Sequence, residues 1–118
     1  MSSASAPDCI FCKIASGTIP AKRLYETSEV LAFPDANPQA PAHVLVIPKQ
    51  HIASLAAAEA GHHPLLGQLL AAATEVARQQ RLDNGYRVVI NTGDDGGQTV
   101  GHLHIHILGG RPMHWPPG

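Results

Sequence analysis

The stretch His102-Leu103-His104-Ile105-His106-Ile107 alternates imidazole with aliphatic side chains at a strict period of two. On a β-strand that period gathers His102, His104 and His106 on one face, about 7 Å apart, and turns Leu103, Ile105 and Ile107 toward a core on the other. Imidazole has a pKa of about 6.5, so at neutral pH a large share of it is unprotonated and nucleophilic. Attack of one ring nitrogen on phosphorus makes a phosphorus–nitrogen bond and divides a hard displacement into two easier ones. A neighbouring ring can donate a hydrogen bond to the phosphate oxygen on which charge develops. A solvated strand face would be served equally by Thr or Lys, and a metal cluster of all three rings lacks an obvious carboxylate to complete it. Phosphoryl or nucleotidyl transfer is the favoured chemistry.

Two other segments carry reactive or ligand-binding residue types. Thr92-Gly93-Asp94-Asp95-Gly96-Gly97-Gln98-Thr99 stands just before the histidine run. Its glycines let backbone approach a ligand closely, although Asp-Asp-Gly-Gly also encodes an ordinary reverse turn. Cys9-Ile10-Phe11-Cys12 has the spacing of half a zinc site, whose other half must come from elsewhere in a chain with 8 histidines. Two inert buried thiols fit the same spacing. A redox pair fits less well, because such pairs follow a strand in a βαβ pattern that is missing here.

The elements that must position these residues can be read from periodicity and breakers. Residues 1–8 read as a disordered lead-in and 9–118 as one domain. Cys9–Ala15 forms a short amphipathic helical turn stopped by Gly17 and Pro20. Strands are expected at Arg23–Thr27, Val30–Phe33 and His43–Ile47, with the proline-rich stretch Pro34–Pro41 as a rigid loop before the last. A long helix carries Leu65, Leu66, Leu69, Leu70, Ala73, Val76 and Ala77 at three-to-four spacing. Pro64 opens it, and Leu82-Asp83-Asn84-Gly85 supplies the stop. Strands at Tyr86–Asn91 and His102–Leu108 complete an α+β domain: a five-stranded, mostly antiparallel sheet with helices on one face.

Charge narrows the partners. Eight basic against nine acidic residues leave a formal net charge of −1. That offers no basic excess for a nucleic-acid backbone and no polybasic run for an anionic membrane, while a free nucleotide needs only a few well-aimed donors. The first residues lack the charged and apolar regions of a signal peptide, and no apolar run approaches the 18 or so residues of a membrane span. A cytoplasmic protein is expected.

With these residues in place, the chain resembles the histidine triad (HIT) family, and within it the Hint branch of histidine triad nucleotide-binding proteins, over nearly everything from Cys9 to Gly118. His102-Leu103-His104-Ile105-His106-Ile107-Leu108 fits the signature of three histidines alternating with apolar residues. Ile19–Lys22, Asp35–Pro41, Val46–Lys49 and Asp95–Gln98 match as well, and the ending Gly109–Gly118 is the most branch-specific stretch. Thr99 departs by standing where a serine is common. Pro34 and Ala36 flank Asp35 where His and Ile are common, and Gly101 replaces a larger residue.

The resemblance implies a HIT-like fold and a purine nucleoside phosphoramidase, which cuts AMP or GMP joined to an amine through a nucleotidylated histidine. It makes His104 the nucleophile and places His106, Gly97, Gln98 and Thr99 around the phosphate. Asn91 would contact the reacting phosphate or leaving group. Asp35, beside Ala36, would take the ribose hydroxyls, which suits two acceptor oxygens facing a vicinal diol. Phe11, Ile14, Phe33 and Leu45 would wall the purine. Cys9, Cys12, His51 and His102 would hold a structural zinc that catalysis does not need. A homodimer is implied, built on the long helix and the strand Tyr86–Asn91, with Trp115 reaching the partner's site. The rival activities are a dinucleoside polyphosphate hydrolase and a non-enzymatic, nucleotide-binding regulatory protein. Of the other histidines, His43 is placed to orient a neighbouring ring, and His62, His63 and His114 are bystanders.

Overall fold

The computed structural model describes residues 6–118. The first five residues of the expected lead-in lie outside the described part. In chain order the elements are helix α1 (Ile10–Ala15), strands β1 (Tyr25–Glu26), β2 (Val30–Pro34) and β3 (Ala42–Pro48), a 3₁₀ turn (Ala60–His62), helix α2 (His63–Gln79), and strands β4 (Tyr86–Val89) and β5 (Ile105–Gly109). The five strands make one antiparallel sheet in the order β1-β2-β3-β5-β4.

Period-two side chains divide the core between the two faces of this sheet. Val30 and Ala32 of β2, Val44 and Val46 of β3, and Ile105 and Ile107 of β5 pack with Leu65, Leu69, Ala73 and Val76 of α2. Leu31, Phe33, Leu45 and Ile47 point the other way and pack with Phe11 and Ile14 of α1. The two helices therefore cover opposite faces, not one face as expected. α1 is too short to register as more than a turn in sequence, yet its two buried apolar residues are enough to seal the second face.

Several boundaries differ for identifiable reasons. β1 is two residues long, because Thr27 folds back: its amide donates to the Val30 carbonyl (2.8 Å) and its hydroxyl accepts from the Val30 amide (3.0 Å). α2 stops before the expected signal, at Arg81, whose φ of 58° is left-handed. The Leu82 amide then reaches back to the Ala77 carbonyl at 3.0 Å, closing the helix end with a non-glycine residue. Leu82 packs over Gly109, where a Cβ would come within 2.7 Å of its methyl groups and oblige that side chain to shift. β4 ends at Val89, short of Asn91.

The most consequential shift is at β5, which begins at Ile105 rather than His102. Its ladder with β3 ends at the pair Val46↔Ile105. Continuing it would bring in Pro48, which has no N–H to donate. The Leu103 amide instead donates to the Ile52 carbonyl at 2.7 Å. The in–out alternation nevertheless persists, and Leu103 joins the α2-facing core. Among the described residues no helix is long and apolar enough to cross a membrane.

Candidate functional site

The sheet face covered by α1 opens into a cavity of about 560 Å³ that contains His104 and His106. Phe11, Ile14, Phe33 and Leu45 form its apolar wall, and all four are buried. Asp35, Ala36 and Thr99 line it too. A hollow of similar size between the turn at 81–85 and Gly110–Pro112 contains none of the histidines.

The hydrogen bonds assign the ring protons. His104 Nδ1 lies 2.7 Å from the His102 carbonyl, which can only accept, so Nδ1 carries the proton and Nε2 keeps a free lone pair. The His104 ring sits edge-on to Phe11, with centroids 5.1 Å apart, and 5.0 Å from the His106 ring. His43 Nδ1 accepts the Gln39 amide at 3.0 Å, so its proton is on Nε2. That proton is donated to His106 Nδ1 at 2.9 Å, with Asp35 Oδ2 3.4 Å away. His106 Nδ1 being an acceptor, His106 Nε2 must carry a hydrogen. That atom is buried and, among the described residues, has no partner. A buried donor left without an acceptor is costly, of order 1–3 kcal/mol, so this atom is waiting for one from a ligand.

Burial, then the neighbouring His104 and His43 rings, hold the His106 pKa below its ordinary value, with Asp35 opposing. The ring is therefore neutral at pH 7 and its tautomer is fixed. Asp35 is in turn held by the Asn37 amide, which donates to Oδ1 at 2.8 Å. Asp35, His43 and His106 are also close enough to be read as a metal-ligand set. The Gln39 amide argues otherwise: with Nδ1 of His43 engaged as an acceptor, its Nε2 would have to lose its proton to bind a cation. The trio is a proton-carrying chain.

The remaining predicted residues fall into three groups. Gln98 is close by but engaged in the loop: its amide accepts from Gly93 N–H (3.0 Å) and donates to the carbonyls of Ala53 (2.7 Å) and Val100 (3.0 Å). Gly97 and Asn91 are not part of the cavity lining, and Asn91 follows the end of β4. Trp115 is 83% exposed. The cavity also takes in Ile10, Ile19, Pro20, Ala21, Lys22, Pro34 and Val100. None of these was singled out as a site residue, although Ile19–Lys22 follows directly on the helix that carries the wall.

Beneath His104 a second cluster gathers Cys9, Cys12, His51 and His102, with all four donor atoms within 4.8 Å of one another. His102 Nδ1 is 3.2 Å from Cys9 Sγ, 3.6 Å from Cys12 Sγ and 3.2 Å from His51 Nδ1, and Cys12 Sγ is 3.4 Å from His51 Nδ1. Zn–S bonds of about 2.3 Å and Zn–N bonds of about 2.0–2.1 Å in a tetrahedron separate neighbouring N and S donors by about 3.5 Å, and two N donors by about 3.3 Å. The cluster fits that figure closely. His102 Nε2–H donates to the Pro48 carbonyl at 2.8 Å, which aims the Nδ1 lone pair at the sulfurs. Burial pushes the His102 pKa down to about 4, so the ring is neutral and able to ligate, and burial raises the Cys12 thiol, a shift that a bound cation reverses.

Comparison with known proteins agrees with this geometry. The HIT domain family model matches residues 16–113. A HIT-like protein of Synechococcus elongatus is 59% identical over 111 residues, covering 94% of this chain and 97% of its own length. A 14 kDa zinc-binding protein of Zea mays is 54% identical over 111 residues, covering 92% and 87% respectively. The crystal structure of a HIT family hydrolase from Legionella pneumophila superposes with a TM-score of 0.91 at 48% identity, over 94% of this chain and 100% of that one. Three alternating histidines running into strand β5 of a five-stranded antiparallel sheet, matched along most of the chain, place this protein in the HIT domain family.

Proposed function

We propose that the protein is a purine nucleoside phosphoramidase, hydrolysing a nucleoside 5′-phosphoramidate to the nucleoside monophosphate and an amine. The carrying observation is the pairing of a free lone pair on His104 Nε2 with an orphaned N–H on His106 Nε2 beside one apolar cavity. His104 Nε2 attacks the α-phosphorus. His106 Nε2–H donates to a phosphate oxygen as negative charge grows there. One phosphorus–nitrogen bond is exchanged for another, so this step is close to balanced in energy. The amine leaves with a proton taken from solvent, water then attacks the phosphorus and gives a proton back to solvent, and His104 departs as the neutral imidazole. Asp35 faces the ribose hydroxyls, and Phe11, Ile14, Phe33 and Leu45 receive the purine.

The hydrolase name of the Legionella structure supports the reaction class. The zinc-binding relative and the fitted donor set support zinc on Cys9, Cys12, His51 and His102. There it would fix the backbone under the nucleophile without touching the reaction. Exposed Leu70 on α2, exposed Tyr86 and Val88 on the edge strand β4, and exposed Trp115 support a homodimer.

The deciding experiment is a turnover screen of AMP–amine, GMP–amine and diadenosine polyphosphate substrates, with acid-quenched trapping of a nucleotidyl adduct. Phosphoramidate turnover with an adduct on His104 is expected. Preference for the dinucleotide would move the activity to polyphosphate hydrolysis, and nucleotide binding with neither turnover nor adduct would leave a binding protein.

A further inference from the structure

We propose that Cys9 and Cys12 are also a modification site: a peroxide joins them in an intrachain disulfide, and in doing so dismantles the four-donor cluster and unseats His104. The two sulfurs already converge. Cys9 is the cap of α1, its Sγ accepts the Cys12 amide at 3.3 Å, and both sulfurs approach the same His102 nitrogen, at 3.2 and 3.6 Å. Cys9 caps the helix with extended backbone and Cys12 lies in its first turn, so the two side chains face the same nitrogen from adjoining positions, as the short Cα separation of a disulfide requires. Access is asymmetric, with Cys9 partly exposed and Cys12 buried. Cys9 is therefore the sulfur an oxidant meets, and Cys12 is the one that resolves the product.

The chemistry closes with a peroxide as the sole co-reactant. The Cys9 sulfur attacks one peroxide oxygen and becomes a sulfenic acid, breaking the O–O bond and releasing water. The Cys12 sulfur then displaces the hydroxyl as a second water, forming the S–S bond. Two thiols lose two electrons and two protons in all, and the peroxide gains both. A disulfide offers no thiolate, so only His51 and His102 remain as donors, too few to hold a structural cation.

The consequence reaches the nucleophile by two contacts. His102, a member of the cluster, lends its carbonyl to His104 Nδ1 at 2.7 Å. Phe11 lies between the two cysteines in sequence, and its ring meets the rings of His102 and His104 at centroid distances of 5.9 and 5.1 Å. Pulling the first turn of α1 closed moves Phe11 against His104 and against the cavity wall. A displacement near 1 Å at a reacting group can lower turnover by up to about a hundredfold. This last consequence rests on the proposed activity; the disulfide and the loss of metal do not.

The test treats zinc-loaded protein with hydrogen peroxide and reads three quantities: thiol state by non-reducing mass spectrometry, free zinc by a chromogenic chelator, and AMP–amine turnover. The expected result is one intrachain disulfide and one zinc released per chain, a fall in turnover of at least tenfold, and recovery of all three with a dithiol and added zinc. Thiols that stay reduced with zinc retained, a disulfide between chains, or an intrachain disulfide with unchanged turnover each overturn the proposal. Disulfide and zinc release in a chain that turns over no phosphoramidate even when reduced support the modification site and sink the proposed activity. The double variant Cys9→Ala/Cys12→Ala is expected to bind no zinc, and peroxide inhibition persisting in it would also overturn the proposal.

Discussion

His102 and His104 carry the same side chain two residues apart, and the backbone treats them oppositely. His102 donates through Nε2 to the Pro48 carbonyl and keeps the Nδ1 lone pair, which faces two sulfurs and a second imidazole. His104 donates through Nδ1 to the His102 carbonyl and keeps the Nε2 lone pair, beside an apolar cavity. One ring becomes a ligand and the other a nucleophile, according to which nitrogen a carbonyl has already claimed. Residue type supplies the chemistry, and the local acceptor selects the atom that performs it.

The largest expected effect separates the two clusters by substitution. His104→Ala should lower phosphoramidate turnover on the order of 10³-fold or more while zinc stoichiometry is unchanged. His102→Ala should lose zinc, and should destabilise the fold by about 3 kcal/mol or more, because the ring is fully buried and the Pro48 carbonyl loses its donor. Steady-state kinetics, elemental analysis and denaturant melts on both variants check the division. A His104→Ala protein that had also lost its zinc would break it.

Acid should distinguish the clusters next. His102 has a folded-state pKa of about 4, below its ordinary value of 6.5. As pH falls, the unfolded chain takes up a proton on this ring first, while the folded chain resists. Stability of the metal-stripped protein is therefore complete above pH 6.5 and declines as pH falls toward about 4, by up to about 3 kcal/mol from this ring alone. His106, also shifted down by burial, acts in the same direction. Urea titrations of stripped protein at intervals from pH 7.5 to 4 measure the slope. A flat profile would mean that His102 is not held neutral by burial.

These two predictions draw on what the sequence does and does not reveal. Period-two alternation suffices to place His102, His104 and His106 on one face, and that holds even though the strand ladder begins only at Ile105. The start of the ladder is not legible, because it depends on Pro48 arriving opposite the motif from another strand. The His102 tautomer is hidden for the same reason, being set by the Pro48 carbonyl of another strand. Those of His104 and His43 are set by local partners, the His102 carbonyl and the Gln39 amide, that no spacing rule names. The apolar wall was legible through the family resemblance. The part played by Gln98 was not, since Ala53, one of its acceptors, is 45 residues away. The helix stop at Arg81 escaped because a non-glycine in the left-handed region carries no local signal.

His43 sharpens the comparison from the catalytic side, with an intermediate effect. It belongs to neither the cavity lining nor the four-donor cluster, and acts from behind the lining by holding a proton against His106 Nδ1. His43→Ala should let His106 change tautomer and waste its donor, lowering kcat by about tenfold to a hundredfold with little change in KM. His43→Gln, whose side-chain amide can still donate toward His106 Nδ1, should recover part of the loss. Equal damage from both variants would assign His43 a packing role only.

The smallest expected effect tests the element that the two regions share. α1 supplies Cys9 as its cap and Cys12 to the four-donor cluster, and Phe11 and Ile14 to the cavity wall. Its C-terminal carbonyls are held by Arg23, which donates to Ile14 at 2.9 Å and Ala15 at 3.4 Å while pairing with Glu26 at 2.8 Å. These bonds are largely solvent-exposed, so Arg23→Ala should cost only about 1 kcal/mol of stability. Because a loosened α1 disturbs its sulfurs and its wall together, KM for the nucleotide and the dissociation constant for zinc should both rise, by about two- to threefold, with kcat preserved. Enzyme assays paired with chelator competition measure the two shifts on one preparation. If one rose without the other, the clusters would be anchored independently, and α1 would be a wall for one region and a ligand carrier for the other without coupling them.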